Sequence, residues 1–174
     1  IGQYADTPDE IIFDWLQDIS YPNQPLGRPI LGYNNLINTY NRKNLIDFTK
    51  KHYIPNKMVL CAAGDVVHEE IVDYANKLFG DMRKCNIEPA MECKFVGGSS
   101  IKKKNLEQTH FTLSFESSSL KDEDIFASQI FSIILGGGMS SRLFQEVREK
   151  RGLCYSIYST IEALSDTGML TIYA

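Results

Sequence analysis

The sequence is poor in cysteine and shows no metal-binding or disulfide pattern. Its 174 residues include four cysteines, and no two of them have CxxC spacing: Cys61, Cys85, Cys93 and Cys154. That absence excludes a zinc knuckle and a disulfide scaffold. Cys61 and Cys154 lie within strand-like apolar segments, so the pattern predicts buried free thiols and a reducing compartment.

Long apolar runs and an excess of basic charge are also absent. No apolar stretch approaches the ~20 residues that a membrane span requires. The net charge of −4 and the pI near 5.4 argue against a dedicated nucleic-acid binder. The apolar fraction of 43% and the charged fraction of 23% are those of a globular protein. The chain opens with Ile1 and has no basic or apolar leader, so we expect it to be part of a longer protein.

The spacing of apolar residues predicts a mixture of helices and strands. Helical spacing occurs in five segments: 9–20, 42–53, 68–79, 124–135 and a last one from 140 or 141 to 150. Strand-like composition occurs in five others: 57–63, 95–104, 110–116, 154–161 and 169–173. Apolar periodicity stops between Asp81 and Cys93, where Pro89 intervenes, so we predict a domain boundary there.

No complete metal site is predicted. The segment His68-Glu69-Glu70 comes nearest to the inverted zinc motif HxxEH, which requires two histidines four residues apart. Positions 71 and 72 are Ile and Val, so the metal-binding face is missing. Acidic residues in the first turn of a helix explain the segment, because the helix dipole favours them there. His52 and His110 have no potential ligands at useful spacing.

Three consecutive glycines, Gly136, Gly137 and Gly138, precede the last predicted helix. A glycine-rich turn before a helix can bind a phosphate or a peptide carboxylate through free backbone N–H groups. The run lacks the Lys-Ser/Thr pair of a P-loop and follows a helix instead of a strand, which disfavours nucleotide binding. Two interpretations stay open: a flexible connection between helices, or a loop that contacts an extended ligand.

Arg148 and Tyr155 form a candidate catalytic pair. Arg148 lies in the last turn of its predicted helix, and Gly152 is expected to reverse the chain towards a strand near Tyr155. Both side chains can then reach one cleft, where a permanently charged guanidinium and a phenol suit an oxyanion or a peptide carbonyl. The alternative is a cation that stabilises a helix end and an ordinary strand aromatic.

One long segment carries a family resemblance. It is GGGMSSRLFQEVREKRGLCYSIYS (136–159), followed by Asp166-Thr167-Gly168. It resembles the second domain of the M16 (pitrilysin-like) zinc metallopeptidases, most closely the branch of mitochondrial processing peptidase and its bacterial relatives. Three further stretches support the resemblance: 7–32, 62–80 and 94–116.

The resemblance implies an α+β fold class. It predicts two homologous two-layer α/β domains, both incomplete here, with mixed, largely antiparallel sheets and helices on one face. Residues 1–83 would be the C-terminal half of the first domain, 84–93 the linker, and 94–174 the N-terminal half of the second. The family's HxxEH motif and its glutamate ligand would precede Ile1. Zinc is therefore expected in the full-length protein, with no metal ligand and no other cofactor in this chain.

The resemblance also implies a function for the full-length protein, a zinc-dependent endopeptidase that cleaves peptides or targeting presequences. This segment alone is expected to be inactive. Arg148 and Tyr155 match the Arg and Tyr with which the second domain holds the scissile carbonyl or the substrate backbone. Gly136, Gly137 and Gly138 match the glycine-rich segment beside the peptide chamber, and are therefore expected to bind substrate.

The expected partners are a peptide substrate and either a homologous M16 subunit or a second copy in a homodimer. No nucleic acid and no membrane span are expected. The expected location is the bacterial cytoplasm or the mitochondrial matrix. The alternative function is that of a catalytically silent M16 paralogue, acting as a structural or regulatory subunit.

Overall fold

The chain forms helices and one small antiparallel sheet. The structure, a computed structural model, describes residues 1–82 and 89–174. The helices are α1 (Gly2–Ala5), α2 (Pro8–Ser20), α3 (Asn34–Ile37), α4 (Arg42–His52), α5 (His68–Phe79) and α6 (Ile125–Gly136). A π-helix spans Phe144–Glu149, and 3₁₀ turns span Pro25–Gly27 and Pro55–Lys57. The strands are β1 (Thr112–Ser117), β2 (Tyr158–Ala163) and β3 (Gly168–Tyr173).

Four predicted helices are confirmed as α2, α4, α5 and α6, and their ends follow from local chemistry. α2 has Pro8 in its first turn, where a missing N–H costs no helical hydrogen bond. At the start of α4 the Asn41 side chain accepts hydrogen bonds from the N–H groups of Lys43 and Asn44, at 2.9 and 3.3 Å. This cap satisfies donors that have no partner within the helix.

β3 is the central strand of the sheet and pairs antiparallel with both β1 and β2. Ser114, Thr171 and Thr160 lie opposite one another across the three strands. β2 and β3 form a hairpin, whose turn is closed by a 2.8 Å hydrogen bond from the N–H of Leu164 to the carbonyl of Thr167. The α+β fold class is therefore confirmed.

The strands agree with part of the strand prediction. β1 and β3 lie close to the segments predicted at 110–116 and 169–173. The strand predicted at 154–161 begins later, at Tyr158. The strand begins after its predicted start because the residues that follow Gly152 first turn back from the π-helix. Pairing with β3 begins at Tyr158, beyond this turn.

Helices cover both faces of the sheet. On one face the hydroxyl of Ser20 in α2 lies 3.1 Å from that of Ser114 on β1. On the other face the hydroxyl of Ser159 on β2 donates a 2.8 Å hydrogen bond to the carbonyl of Ser132 in α6. Side chains alternate along a strand, and the register places Ser114 and Ser159 on opposite faces. The sequence predicted helices on one face of the sheet, whereas the structure has a helix on each face. The central strand β3 is buried along most of its length, so both of its faces are covered.

The best-buried cluster lies between α2 and the β2–β3 hairpin. It consists of four buried residues, Leu16, Tyr21, Cys93 and Met169. Tyr21 is 1% exposed, and its hydroxyl lies 3.2 Å from that of Thr167 in the hairpin turn. The ring of Phe95 meets the Tyr21 ring edge-on at 5.9 Å. Residues 1–33 and 91–174 accordingly form one compact unit, here called the first unit.

Two predicted strands are wrong. Residues 57–63 and 95–104 form no strand, and their side chains include Val59, 89% exposed, and Ile101, 84% exposed. Cys61, predicted to be buried, is exposed as well. An apolar segment becomes a buried strand only when a neighbouring strand pairs with its backbone. Within the described residues no strand pairs with either segment.

Residues 34–90 form a second compact unit, here called the second unit. It contains α3, α4 and α5, and many of its apolar side chains are exposed, including Leu45 at 62% and Leu78 at 70%. Ile54, just after α4, is buried at 2%. A sheet was predicted for each half of the chain, but the described part of 1–83 has no strand. The reason is the same: within the described residues, no strand pairs with the backbone of this part.

Half of the predicted linker 84–93, residues 84–88, lies outside the described residues. At its far end the N–H of Cys93 donates a 2.8 Å hydrogen bond to Oδ2 of Asp166. The domain division at this linker stays a prediction. Among the helices that the structure describes, none has the length and apolar character needed to cross a membrane.

Candidate functional site

The three glycines at the end of α6 have different surroundings. Gly136 is buried, and a Cβ there would lie 2.5 Å from the backbone N of Ser159 on β2. A Cβ on Gly137 would lie 2.7 Å from the Cα of Ile133. Gly138 is exposed, and a Cβ added there would have no other atom within 4 Å. Gly136 therefore allows α6 to pack against β2, whereas Gly138 has open space for a ligand.

Hydrogen bonds connect the glycine run to the π-helix. The N–H of Ser141 donates to the carbonyl of Gly138 at 3.0 Å, and Nε2 of Gln145 donates to the carbonyl of Met139 at 2.7 Å. The N–H of Lys150 reaches the carbonyl of Gln145, five residues earlier, at 3.0 Å. That spacing defines a π-helix. The last predicted helix is therefore present, but its turns are wider than those of an α-helix.

Gly152 reverses the chain after the π-helix. Its φ is 61°, in the left-handed region that favours glycine. Its N–H donates to the carbonyl of Arg148 at 2.9 Å, and the N–H of Leu153 donates to the carbonyl of Val147 at 3.1 Å. These bonds satisfy carbonyls at the helix end. The reversal brings Tyr155 beside the helix.

The Arg148 guanidinium contacts two aromatic rings. Its Cζ lies 4.5 Å from the ring centre of Phe144 and 5.2 Å from that of Tyr155. Both distances are those of cation–π contacts. The predicted neighbours Arg148 and Tyr155 are thus in contact, while their catalytic role stays a prediction. Phe144 was not predicted, although its position four residues before Arg148 on a helix was a usable signal.

Among the described residues, the Arg148 side chain has one ion pair, a long one with Glu149. Glu146 lies 2.5 Å from the Lys150 ammonium and 3.4 Å from an Arg151 nitrogen. The hydrogen bond and charge of Lys150, with a smaller effect of Arg151, lower the pKa of Glu146 below its usual value. Nε of Arg148 is 3.9 Å from Oε1 of Glu149, beyond hydrogen-bonding distance. The Arg148 side chain is 33% exposed.

Tyr155 is the more accessible member of the pair, at 83% exposed. Next to each other, a guanidinium and a phenol provide one charged and one neutral hydrogen-bond donor. Such a pair suits a carbonyl oxygen or an oxyanion, because charge-assisted hydrogen bonds are the stronger ones.

Two concave regions of the first unit are lined by other residues than Arg148 and Tyr155. The larger, about 560 Å³, lies between α6 and the sheet. The smaller, about 200 Å³, is bounded by α1, α2 and residues 29–33, and its lining includes Tyr4 and Asp14. Burial raises the pKa of Asp14, and a hydrogen bond from Tyr4 opposes the rise. The Arg148–Tyr155 pair instead belongs to an open surface.

The three histidines do not converge on a metal site. Nδ1 of His110 lies 2.8 Å from the hydroxyl of Tyr173, and the His52 ring lies 4.5 Å from that of Phe48. His68 is the first residue of α5. In the part of the chain that the structure describes, no group of three or more His, Cys, Asp or Glu residues is placed to hold a metal ion. These residues do not fit a zinc ion, and none is assigned a role in metal chemistry.

The fold and the site define an α+β module in which the half-buried Arg148 contacts the exposed Tyr155. A family model described as the peptidase M16 inactive domain matches residues 39–174. The chain therefore belongs to the M16 peptidase family, and the family resemblance of the sequence is confirmed.

Two similar curated proteins are bacterial and longer than this chain. An uncharacterized zinc protease of Rickettsia bellii is 43% identical over 178 residues, which cover 100% of this chain and 42% of that protein. An uncharacterized zinc protease of Bacillus subtilis is 37% identical over 174 residues, 99% of this chain and 42% of that protein. The chain thus spans about 42% of the length of these relatives.

Solved structures share the fold. The peptidase M16 inactive domain from Pseudomonas fluorescens is 26% identical with a TM-score of 0.79, covering 99% of this chain and 42% of that one. A protease from Helicobacter pylori is 18% identical with a TM-score of 0.80, covering 98% and 43%. A chain of Complex III2 from Candida albicans is 16% identical with a TM-score of 0.82, covering 99% and 44%. At such low identity, the last two show a shared fold alone.

Proposed function

We propose that this chain is part of a zinc-dependent endopeptidase that cleaves peptides or targeting presequences, to which it supplies hydrogen-bond donors for the substrate. The observation that carries the proposal is the 5.2 Å contact between the Arg148 guanidinium and the exposed Tyr155 ring. Membership of the M16 family and the zinc protease names of the relatives support it. Because the chain spans 42% of those relatives, the activity is assigned to the longer protein, and this segment alone is expected to be inactive.

In this proposal Arg148 and Tyr155 act on the scissile carbonyl or on the adjoining substrate backbone. Negative charge develops on the carbonyl oxygen as the peptide bond is attacked. The guanidinium stays charged at every working pH, and the phenol donates a neutral hydrogen bond. Both interactions strengthen as the charge appears, so they lower the barrier of the chemical step instead of only tightening substrate binding.

The zinc ion of the proposal is held elsewhere in the longer protein. When bound there, it would supply Lewis-acid chemistry to the substrate carbonyl or to a water molecule. The described residues offer no ligand set for it. The part played by this chain is therefore to bind and orient the substrate. Among the glycines, Gly138 has the space for a backbone contact with a peptide, whereas Gly136 and Gly137 are closely packed.

The proposed partners are a peptide substrate and either a homologous M16 subunit or a second copy of the chain. The relatives in Rickettsia and Bacillus favour the bacterial cytoplasm over the mitochondrial matrix. The assignment of 1–83 and 94–174 to halves of two M16 domains joined by 84–93 belongs to the same proposal.

The test replaces each donor in the full-length protein. Tyr155→Phe removes one exposed hydroxyl, and Arg148→Ala removes one charged side chain at the end of the π-helix. Loss of one transition-state donor typically lowers kcat by ~10²–10³. We expect a fall of about that size with a quenched peptide substrate, while the melting temperature and the zinc content stay unchanged.

Matched variants in the second unit serve as controls. Tyr40→Phe changes a tyrosine that is 59% exposed, and Arg42→Ala removes an exposed arginine from the first turn of α4. Both should keep the wild-type kcat. Normal kcat in Tyr155→Phe and Arg148→Ala would refute the role of the pair. A rise of KM alone would show uniform substrate binding instead of transition-state stabilisation. A silent paralogue, the alternative function, would have no turnover in any form.

A further inference from the structure

Phe144 makes the closer of the two ring contacts to Arg148. Its ring centre lies 4.5 Å from the guanidinium carbon, compared with 5.2 Å for Tyr155. The two residues are four positions apart on the π-helix, so they are neighbours on its surface. Phe144 is half-buried, whereas Tyr155 is 83% exposed. Of the two rings, that of Phe144 is therefore the better fixed.

Little else orders the Arg148 guanidinium. Oε1 of Glu149 forms an ion pair with Nε at 3.9 Å, which is too long for a hydrogen bond. The Glu149 side chain is 52% exposed, so this ion pair contributes little. The neighbouring cations, Lys150 and Arg151, are both paired with Glu146. A long arginine side chain loses rotamer entropy when a ligand fixes it, so prior ordering by a ring lowers the cost of binding.

The backbone of the same segment sets the pair in place. The N–H of Lys150 donates to the carbonyl of Gln145, five residues earlier, and this bond widens the last turn of the helix. Such π turns occur frequently at functional sites. The carbonyl of Arg148 then accepts the N–H of Gly152 at 2.9 Å, which starts the reversal towards Tyr155. Phe144, Arg148 and Tyr155 are thus positioned by one continuous stretch of chain.

We infer that Phe144 is a positioning residue, whose ring holds the Arg148 guanidinium in the orientation that meets the substrate carbonyl together with Tyr155. The inference rests on the proposed function of Arg148. In this role Phe144 acts through the arginine and makes no contact with the reacting atoms. If Phe144 only filled space beneath the helix, its loss would affect folding without a specific effect on Arg148.

The kinetic test compares two substitutions in the full-length protein. Phe144→Leu keeps an apolar side chain and removes the ring, while Phe144→Tyr keeps the ring. Removal of one cation–π contact should lower kcat/KM by about 2- to 30-fold, and Phe144→Tyr should restore most of that loss. Phe111→Leu removes a ring that is 55% exposed just before β1 and should leave kcat/KM unchanged.

A double-mutant cycle separates positioning from packing. In the Arg148→Ala background, Phe144→Leu should change kcat/KM by less than about twofold, because no guanidinium remains to be positioned. Equal losses in both backgrounds would overturn the inference, as would a loss in Arg148→Ala with none in Phe144→Leu. If Arg148→Ala itself has normal kcat/KM, the proposed function fails first and the inference fails with it.

An NMR measurement checks the contact without using activity. Protons above an aromatic ring are shifted upfield, so the Hδ and Hε resonances of Arg148 should move downfield in Phe144→Leu and stay nearly in place in Phe144→Tyr. Unmoved resonances in Phe144→Leu would overturn the inference even if activity fell. Should Phe144→Leu fail to fold, Phe144→Met removes the ring with a more adaptable side chain and undergoes the same measurements.

Discussion

Single residues set the geometry of the Arg148–Tyr155 contact. The left-handed φ of 61° at Gly152 turns the chain back, and a residue with a Cβ rarely adopts this conformation. The carboxylate of Glu146 forms ion pairs with Lys150 and Arg151, whereas Arg148 has its long ion pair with Glu149. The site therefore depends on where the neighbouring charges are paired as much as on the two donors themselves.

At the residue scale, Gly136 and Gly138 test what the glycine run does. Gly136→Ala places a Cβ 2.5 Å from the backbone N of Ser159, so α6 or β2 must shift. We expect the free energy of unfolding to fall by about 1–3 kcal/mol, the usual cost of overpacking. The Cβ of Gly138→Ala would have no other atom within 4 Å, so this variant should change the free energy of unfolding by less than about 0.5 kcal/mol. Urea denaturation measures both values.

Equal stability of the Gly136→Ala and Gly138→Ala variants would contradict the packing role of Gly136. In the full-length protein the same pair distinguishes packing from substrate binding. If the run contacts the peptide, Gly138→Ala should raise KM without a change in melting temperature. An unchanged KM would leave the glycines with a structural role alone.

The sequence predicted that Arg148 and Tyr155 come together, because the reversal depends on one local residue, Gly152. The predicted cleft around them is an open surface in the described residues, and their role stays a prediction. The sequence was not sufficient to predict the contact of Phe144. Spacing by four residues allows a contact on any helix, and only the rotamers of both side chains decide whether the contact forms. The π winding was also missed, since it depends on hydrogen bonds to the fifth residue and leaves no distinct apolar period.

At the scale of elements, the helices were predictable and the strands only in part. The hydrogen bonds of α2, α4, α5 and α6 lie within each segment, so local spacing and caps suffice. A strand depends on a partner elsewhere in the chain. β1 and β3 pair although they are far apart in sequence, whereas 57–63 and 95–104 have similar composition and remain unpaired in the described residues.

Tyr21 links α2 to the β2–β3 turn and makes the stability of the first unit depend on pH. Burial raises the pKa of Tyr21, and the hydrogen bond with Thr167 opposes part of the rise. In the unfolded chain a tyrosine ionises near pH 10. Above about pH 10 the unfolded state loses this proton while the folded state keeps it. The free energy of unfolding should therefore decrease as the pH rises from about 10 through the raised pKa.

Tyr21→Phe removes both the titrating group and the contact with Thr167. We expect a loss of about 1 kcal/mol at neutral pH, and a smaller further decrease in urea stability between about pH 9 and pH 11 than in the wild type. A residual decrease remains because burial also raises the pKa values of Tyr4, Tyr158 and Tyr173. The exposed-site variant Tyr40→Phe should keep the wild-type pH dependence. An identical dependence in Tyr21→Phe would contradict the assignment.

At the scale of the whole molecule, α6 has one packed side and one exposed apolar side. Ile125, Ser132 and Gly136 are buried. The exposed stripe consists of Phe126, 73% exposed, Ile130, 58%, and Ile133, 64%. Their spacing of four and three residues places them on one side of the helix. Large apolar patches on a protein surface mark sites of association.

We expect this chain on its own to self-associate through the α6 stripe, in line with the predicted second copy as a partner. Light scattering should show an average mass that rises with protein concentration, because burial of the stripe removes apolar surface from water. Ile130→Lys places a charge at the centre of the stripe and should shift the distribution towards the monomer. Leu120→Lys changes a residue that is 61% exposed outside α6 and should have no such effect. A monomeric mass at all concentrations, or equal effects of the two lysines, would rule out the stripe as the contact.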